Sequence, residues 1–155
     1  MQLEALEAIA PALAARIAGA EPHLARRFAL RAARLACSVA GVRDRVALEV
    51  AQSGLERRTE VDELVRLWQL ESELESECWE RLGRSETFSG FAASHRHEGC
   101  AKAHAVSAVI AALRPEARVA AREAAYEARA AGCDDKAIEG LADQHLQEHG
   151  RPTSP

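Results

Sequence analysis

The chain has 155 residues, 20 of them basic and 24 acidic, for a formal net charge of −4. That length suits one domain, and a chain of this size buries ~68–70% of its unfolded surface without needing metal or disulfide staples. The acidic balance leaves no general nucleic-acid footprint. The apolar fraction of 48%, much of it alanine and with only two Trp, one Tyr and three Phe, argues against a sheet and for closely packed helices, because alanine has the highest helix propensity.

Residues 3–17 place Leu3, Leu6, Ile9, Leu13 and Ile17 on one helical face. Pro11 sits inside that stretch and predicts a kink or a late start. The Gly19-Ala20-Glu21-Pro22 turn ends it, and Pro22 opens a second helix with the stripe Leu24, Phe28, Leu35 and Val39, stopped by Gly41. Asp44 is the expected N-cap of a short third helix to about residue 57, with Val46 and Val50 inward. Thr59-Glu60-Val61-Asp62 reads as an approximate capping box opening a long fourth helix to about residue 82. At ~100° per residue its apolar face is Val61, Leu64, Val65, Trp68, Trp79 and Leu82.

Residues 83–88 read as the main linker. A fifth helix follows to about residue 113, with the stripe Phe88, Phe91, His95, Val106, Val109, Ile110 and Leu113. Pro115 starts a sixth, alanine-rich helix ending near Gly132, whose thin stripe holds Val119 and Tyr126. Asp134 or Asp135 caps a seventh, on which Ile138, Leu141, His145 and Leu146 align. The expected fold is all-α: an antiparallel bundle or array of about six to seven helices, forming a single domain over 1–150 with a frayed tail over 151–155.

The first ten residues carry Glu4 and Glu7 instead of a basic leader region, and no run approaches the ~18 apolar residues of a membrane span. A cytoplasmic setting with no membrane partner is therefore expected. Cys37, Cys78, Cys100 and Cys133 form no C-x-x-C pair, so reduced thiols are expected in that setting, with Cys37 and Cys78 acting as small hydrophobes.

Ligand-type side chains are densest in the fifth helix. His97, Cys100 and His104 stand at i, i+3 and i+7, so imidazole and thiolate could converge on one ion, a donor set suited to zinc. A polar, His-rich face with no cofactor is the plainer alternative. His95 and His145 read as hydrogen-bonded core or boundary residues, and His23 as a surface residue. No nucleotide-binding loop or nucleophile elbow is present, so catalysis has little support.

Charge is concentrated over residues 59–82, where eight acids against two bases give a local net of −6. Glu73, Glu77 and Glu80 form a row at i, i+4 and i+7, about opposite the Trp68/Trp79 face. Such a row is either a solvated face or a surface for a basic protein partner. Arg27, Arg31 and Arg34 share the same spacing and would pair with the glutamates if those two helices were parallel neighbours.

Three segments follow in succession: an R-x-F-A helix in Leu24-Ala25-Arg26-Arg27-Phe28-Ala29, an arginine-flanked helix in Arg43-Asp44-Arg45-Val46-Ala47-Leu48-Glu49-Val50-Ala51, and a turn into Thr59-Glu60-Val61-Asp62-Glu63-Leu64, which has one residue more than a T-x-x-E-L motif. This pattern resembles a family of bacterial Ala-rich helical proteins, the immunity proteins of polymorphic toxin systems. The second half departs from that family, with the His-Cys segment in place of its Trp/Ala/Asp-rich repeats. The resemblance implies a class of role and no site residues. The expectation is a non-enzymatic helical interaction protein of immunity or antitoxin type, for which a homo-oligomer is also compatible. Two alternatives are a zinc-type metal-binding bundle with a sensing or catalytic role at His97, Cys100 and His104, and an accessory subunit of a larger complex.

Overall fold

The computed structural model describes residues 3–84 and 98–147. Within them are eight helices and no strand: α1 Leu3–Ile9, α2 Pro11–Ala18, α3 Pro22–Ala40, α4 Arg45–Ser53, α5 Val61–Arg84, α6 Glu98–Ala112, α7 Ala117–Ala130 and α8 Asp135–His145. The eighth helix arises at Pro11, which splits the expected first helix by taking the first position of α2. Proline has no N–H to donate there, so the break costs α2 nothing. No helix among the described residues is long and apolar enough to cross a membrane.

Local chemistry sets most of the boundaries. Gly41 ends α3 in the left-handed region at φ 76°, and the Val42 N–H donates to the Cys37 carbonyl at 2.9 Å. Asp44 caps α4 by accepting from the Ala47 N–H at 3.1 Å. Asp134, not Asp135, caps α8, accepting from the Ala137 N–H at 2.7 Å. At α5 the capping box sits one residue later than expected: the Glu60 N–H donates to Glu63 Oε1 at 3.0 Å. Glu63 is the acid positioned to reach back, and Arg57 grips it through both guanidinium nitrogens at 2.6 and 2.7 Å.

The core is built on alanine. α3 packs against α7 and α6, and α7 packs against α6. The contacting faces carry Ala25, Ala29, Ala32, Ala33 and Ala36 of α3, with Ala120, Ala121, Ala124 and Ala128 of α7, all buried. Small side chains let these three helices approach closely, and Phe28, Ile17, Leu30, Val106 and Val109 fill the remaining volume. The alanine-rich α7 is thus an internal helix. Arg26 ties the assembly by donating to the Ala112 and Pro115 carbonyls at 2.6 and 3.0 Å, next to the C-terminal end of α6.

α5 lies at the edge, packed on α6 and at its start on α4. Its inward residues are Leu67, Leu70 and Leu74. This corrects the expected face: Val61, Val65, Trp68 and Trp79 are exposed, Leu64 is half-buried, and the side chain of Leu82 lies outside those described. The helix has two apolar stripes, and periodicity selected the one with the aromatic residues. Val39 is a smaller correction of the same kind, since it is exposed at the end of α3. Phe88, Phe91 and His95 lie outside the described residues.

Candidate interaction face and the α5–α6 seam

α5 and α6 run antiparallel, and three polar links join this pair to one another and to α7. Cys78 is bonded to Cys100 as a disulfide, with a Cα–Cα distance of 5.0 Å. Seven residues along each helix, Ser107 Oγ donates to Glu71 Oε2 at 2.6 Å. Between these two rungs, His104 Nδ1 lies 2.7 Å from Glu127 Oε2 on α7. A carboxylate only accepts, so Nδ1 carries the proton. The disulfide corrects the expectation of four reduced thiols. Among the described residues, the free cysteines are Cys37 and Cys133, both buried. Burial pushes the Cys37 thiol up to about 12 and that of Cys133 to about 11, so neither supplies a thiolate near neutrality.

The seam concentrates carboxylates in a half-buried setting. Glu127 is only 7% exposed. Its bond to His104 raises the imidazole above its ordinary range, against a desolvation effect that lowers it, and Glu75 on α5 adds in the same direction as Glu127. Glu71 is also raised, chiefly by burial, with the charges of Glu75 and Glu127 adding and the Ser107 hydroxyl opposing. Ser107 and His104 sit one turn apart on α6, yet each is engaged by a different carboxylate. No hydroxyl-to-imidazole relay is formed, which is the geometry nucleophilic catalysis would need.

For the expected metal trio, His97 lies outside the described residues. Cys100 offers no thiolate while bonded to Cys78, and His104 turns its Nδ1 to Glu127. Among the described residues, no group of three or more His, Cys, Asp and Glu side chains is arranged to hold a metal ion in this disulfide form. Sequence spacing missed Cys78, Glu71 and Glu127 because they reach the seam from other helices. The one available signal was the matching seven-residue interval of Glu71–Cys78 and Cys100–Ser107.

The outer half of α5 presents a different surface. Trp68 is 55% exposed, Trp79 70% and Val61 74%. Glu73, Glu77 and Glu80 are all exposed, well round the helix from the tryptophans. Gln69, Ser72 and Ser76 lie between the two stripes and with Glu73 and Glu77 line a shallow groove. Arg66 reaches Glu73 only at 3.9 Å, because its guanidinium is already bound to Asp44 at 2.7 Å. Arg27, Arg31 and Arg34 are exposed on α3. That arginine row faces solvent, and α3 packs on α4, α6, α7 and α8.

Comparison with protein-family models, with curated proteins and with solved structures gave no match.

Proposed function

We propose that this chain is a non-enzymatic helical interaction module that binds a basic protein partner through the outer face of α5. The observation that carries this reading is the position of both tryptophans on solvent, on the same helix as an exposed acidic row with little internal compensation and across the strip of Gln69, Ser72 and Ser76 from it. Large aromatic area is costly to leave in water, and here it stands at two points about three turns apart along one side of α5. Tryptophan is the residue most enriched among strong interface contacts, while Glu73, Glu77 and Glu80 would steer a cationic surface toward it.

The resemblance of the first half to immunity proteins narrows the proposal to a toxin-neutralising role. A cytoplasmic setting belongs to the same reading.

The test is affinity capture from the native host at low salt, comparing wild type with a Trp68→Ala/Trp79→Ala variant and a Glu73→Lys/Glu77→Lys/Glu80→Lys variant. The expected result is a basic protein held by wild type, released by salt, lost with either variant, and cross-linked to residues of α5. A partner retained equally by all three proteins, or cross-linked elsewhere, contradicts the proposal. So does self-association that buries both tryptophans.

A further inference from the structure

The α5–α6 seam brings two cysteines and an imidazole to one end of a helix pair. We infer that the Cys78–Cys100 disulfide is the oxidised form of a zinc site, in which reduction frees two thiolates that bind the ion together with His104 Nε2. This inference is independent of the docking role of α5.

Three geometric features carry it. First, the 5.0 Å Cα–Cα separation of Cys78 and Cys100 suits two thiolates on one ion. With Zn–S bonds of about 2.3 Å in a tetrahedron, the sulfurs stand ~3.8 Å apart, a separation side-chain rotation supplies without moving the helices. Second, Cys100 and His104 are four residues apart on α6, so they share one helical face about one turn apart. Third, His104 already gives Nδ1–H to the buried Glu127 carboxylate at 2.7 Å. This carboxylate–imidazole pairing holds the ring in the tautomer whose Nε2 lone pair is directed away from the carboxylate, the arrangement that orients metal-bound histidines. Glu75, one turn before Cys78 on α5, acts electrostatically on His104 and is a carboxylate on the same helix available for the fourth position.

The chemistry balances with a dithiol as reductant. A dithiol such as dithiothreitol delivers two electrons and two protons, the Cys78–Cys100 S–S bond breaks, two thiols form, and the dithiol closes to its own cyclic disulfide. Zinc then displaces both thiol protons, and the Nε2 proton of any charged His104, to solvent and takes the Nε2 lone pair. A small-molecule disulfide such as oxidised glutathione reverses the sequence: it takes the two electrons and leaves as two thiols, the Cys78–Cys100 bond re-forms, and the ion is released to solvent. Cys37 and Cys133 stay outside this cycle, being buried and held as thiols by their raised values.

Cobalt(II) is the probe. The full chain is reduced with dithiothreitol, desalted without air and titrated with cobalt, alongside the oxidised protein. Reduced wild type is expected to take one cobalt per chain, with thiolate-to-cobalt charge-transfer absorption and the visible bands of tetrahedral coordination, both lost on adding zinc. The oxidised protein should show neither. Cys78→Ser and His104→Ala should abolish or strongly weaken these bands, and Glu127→Gln should weaken cobalt affinity by about 10–100-fold, as loss of an outer-shell partner does. Circular dichroism of each variant separates loss of the site from loss of the fold. Alkylation followed by mass spectrometry gives a second readout, with zinc shielding Cys78 and Cys100 in the reduced protein. The inference is overturned if reduced, folded wild type shows no thiolate–cobalt absorption and no shielding. It is equally overturned if the bands survive in Cys78→Ser and vanish in His97→Ala, since that would place the site on α6 and the segment before it.

Discussion

At the scale of single residues, the seam is a set of protonation equilibria with opposite consequences. His104 is raised by its bond to Glu127, so the pair contributes fully below the ordinary histidine value near ~6.5 and is lost as pH rises through the raised folded value. Above that point the imidazole is neutral, and its bond to the buried Glu127 side chain is no longer an ion pair. Replacing Glu127 with Gln should therefore destabilise the protein at pH 6 and become neutral or stabilising at pH 9, a sign change readable in melting temperatures at the two pH values. Glu71 is raised mainly by burial, so its ionisation opposes folding as pH increases through the carboxylate range. Glu71→Gln keeps an acceptor for Ser107 and removes the charge. Its expected effect at pH 7.5 is a higher melting temperature, by ~2–4 °C if about 1 kcal/mol is recovered; a lower one would show that the ionised carboxylate is favourable there. His104 and Cys100 stood out in the sequence as ligand types. Their real partners did not, because Glu127 and Cys78 come from helices whose placement no local pattern encodes.

Helix ends and helix faces differ in how openly the sequence announces them. Caps were readable: Asp44, Pro22, Gly41 and Asp134 act as their residue types predict. Asp44 does double duty, since burial pushes its carboxyl up but the bonds from Arg66 and the Ala47 N–H outweigh this and hold it below the ordinary range. Its contribution is present above the ordinary aspartate value and is lost as pH falls through the depressed one. Asp44→Ala should cost about 1 kcal/mol from the cap alone, and the difference from wild type should shrink in acid. Faces were harder to assign. Along α5, Leu67, Leu70 and Leu74 compete with Val61, Val65, Trp68 and Trp79, and aromatic bulk favours the second set on burial scales. The structure buries the first set because α6 meets that side. The disulfide fastens this edge helix: with 22 residues of sequence separation, its loop-closure contribution is about 3 kcal/mol. Reduction in metal-free buffer should lower the denaturant midpoint accordingly, and an unchanged midpoint would mean the bond adds nothing to the packing of α5.

Across the whole molecule, alanine separates what holds the fold from what is left for contact. Because α3, α6 and α7 associate through small side chains, the core needs few aromatic residues, and both tryptophans can stand outside it. Alanine content and helix punctuation made the all-α class readable from composition. They could not reveal that α7 is internal or that α5 is at the edge, since an alanine stripe serves equally well against a neighbour in the same chain or in another. The protein has only two tryptophans, so its indole fluorescence reports on the α5 face alone. The most direct test of the docking account is collisional quenching of that fluorescence by acrylamide, in the native protein and again with the captured basic partner. The account predicts quenching of the native protein nearly as efficient as in denaturant, and strong protection once the partner is bound. Tryptophans shielded in the native protein alone, or quenched equally with and without the partner, would contradict it.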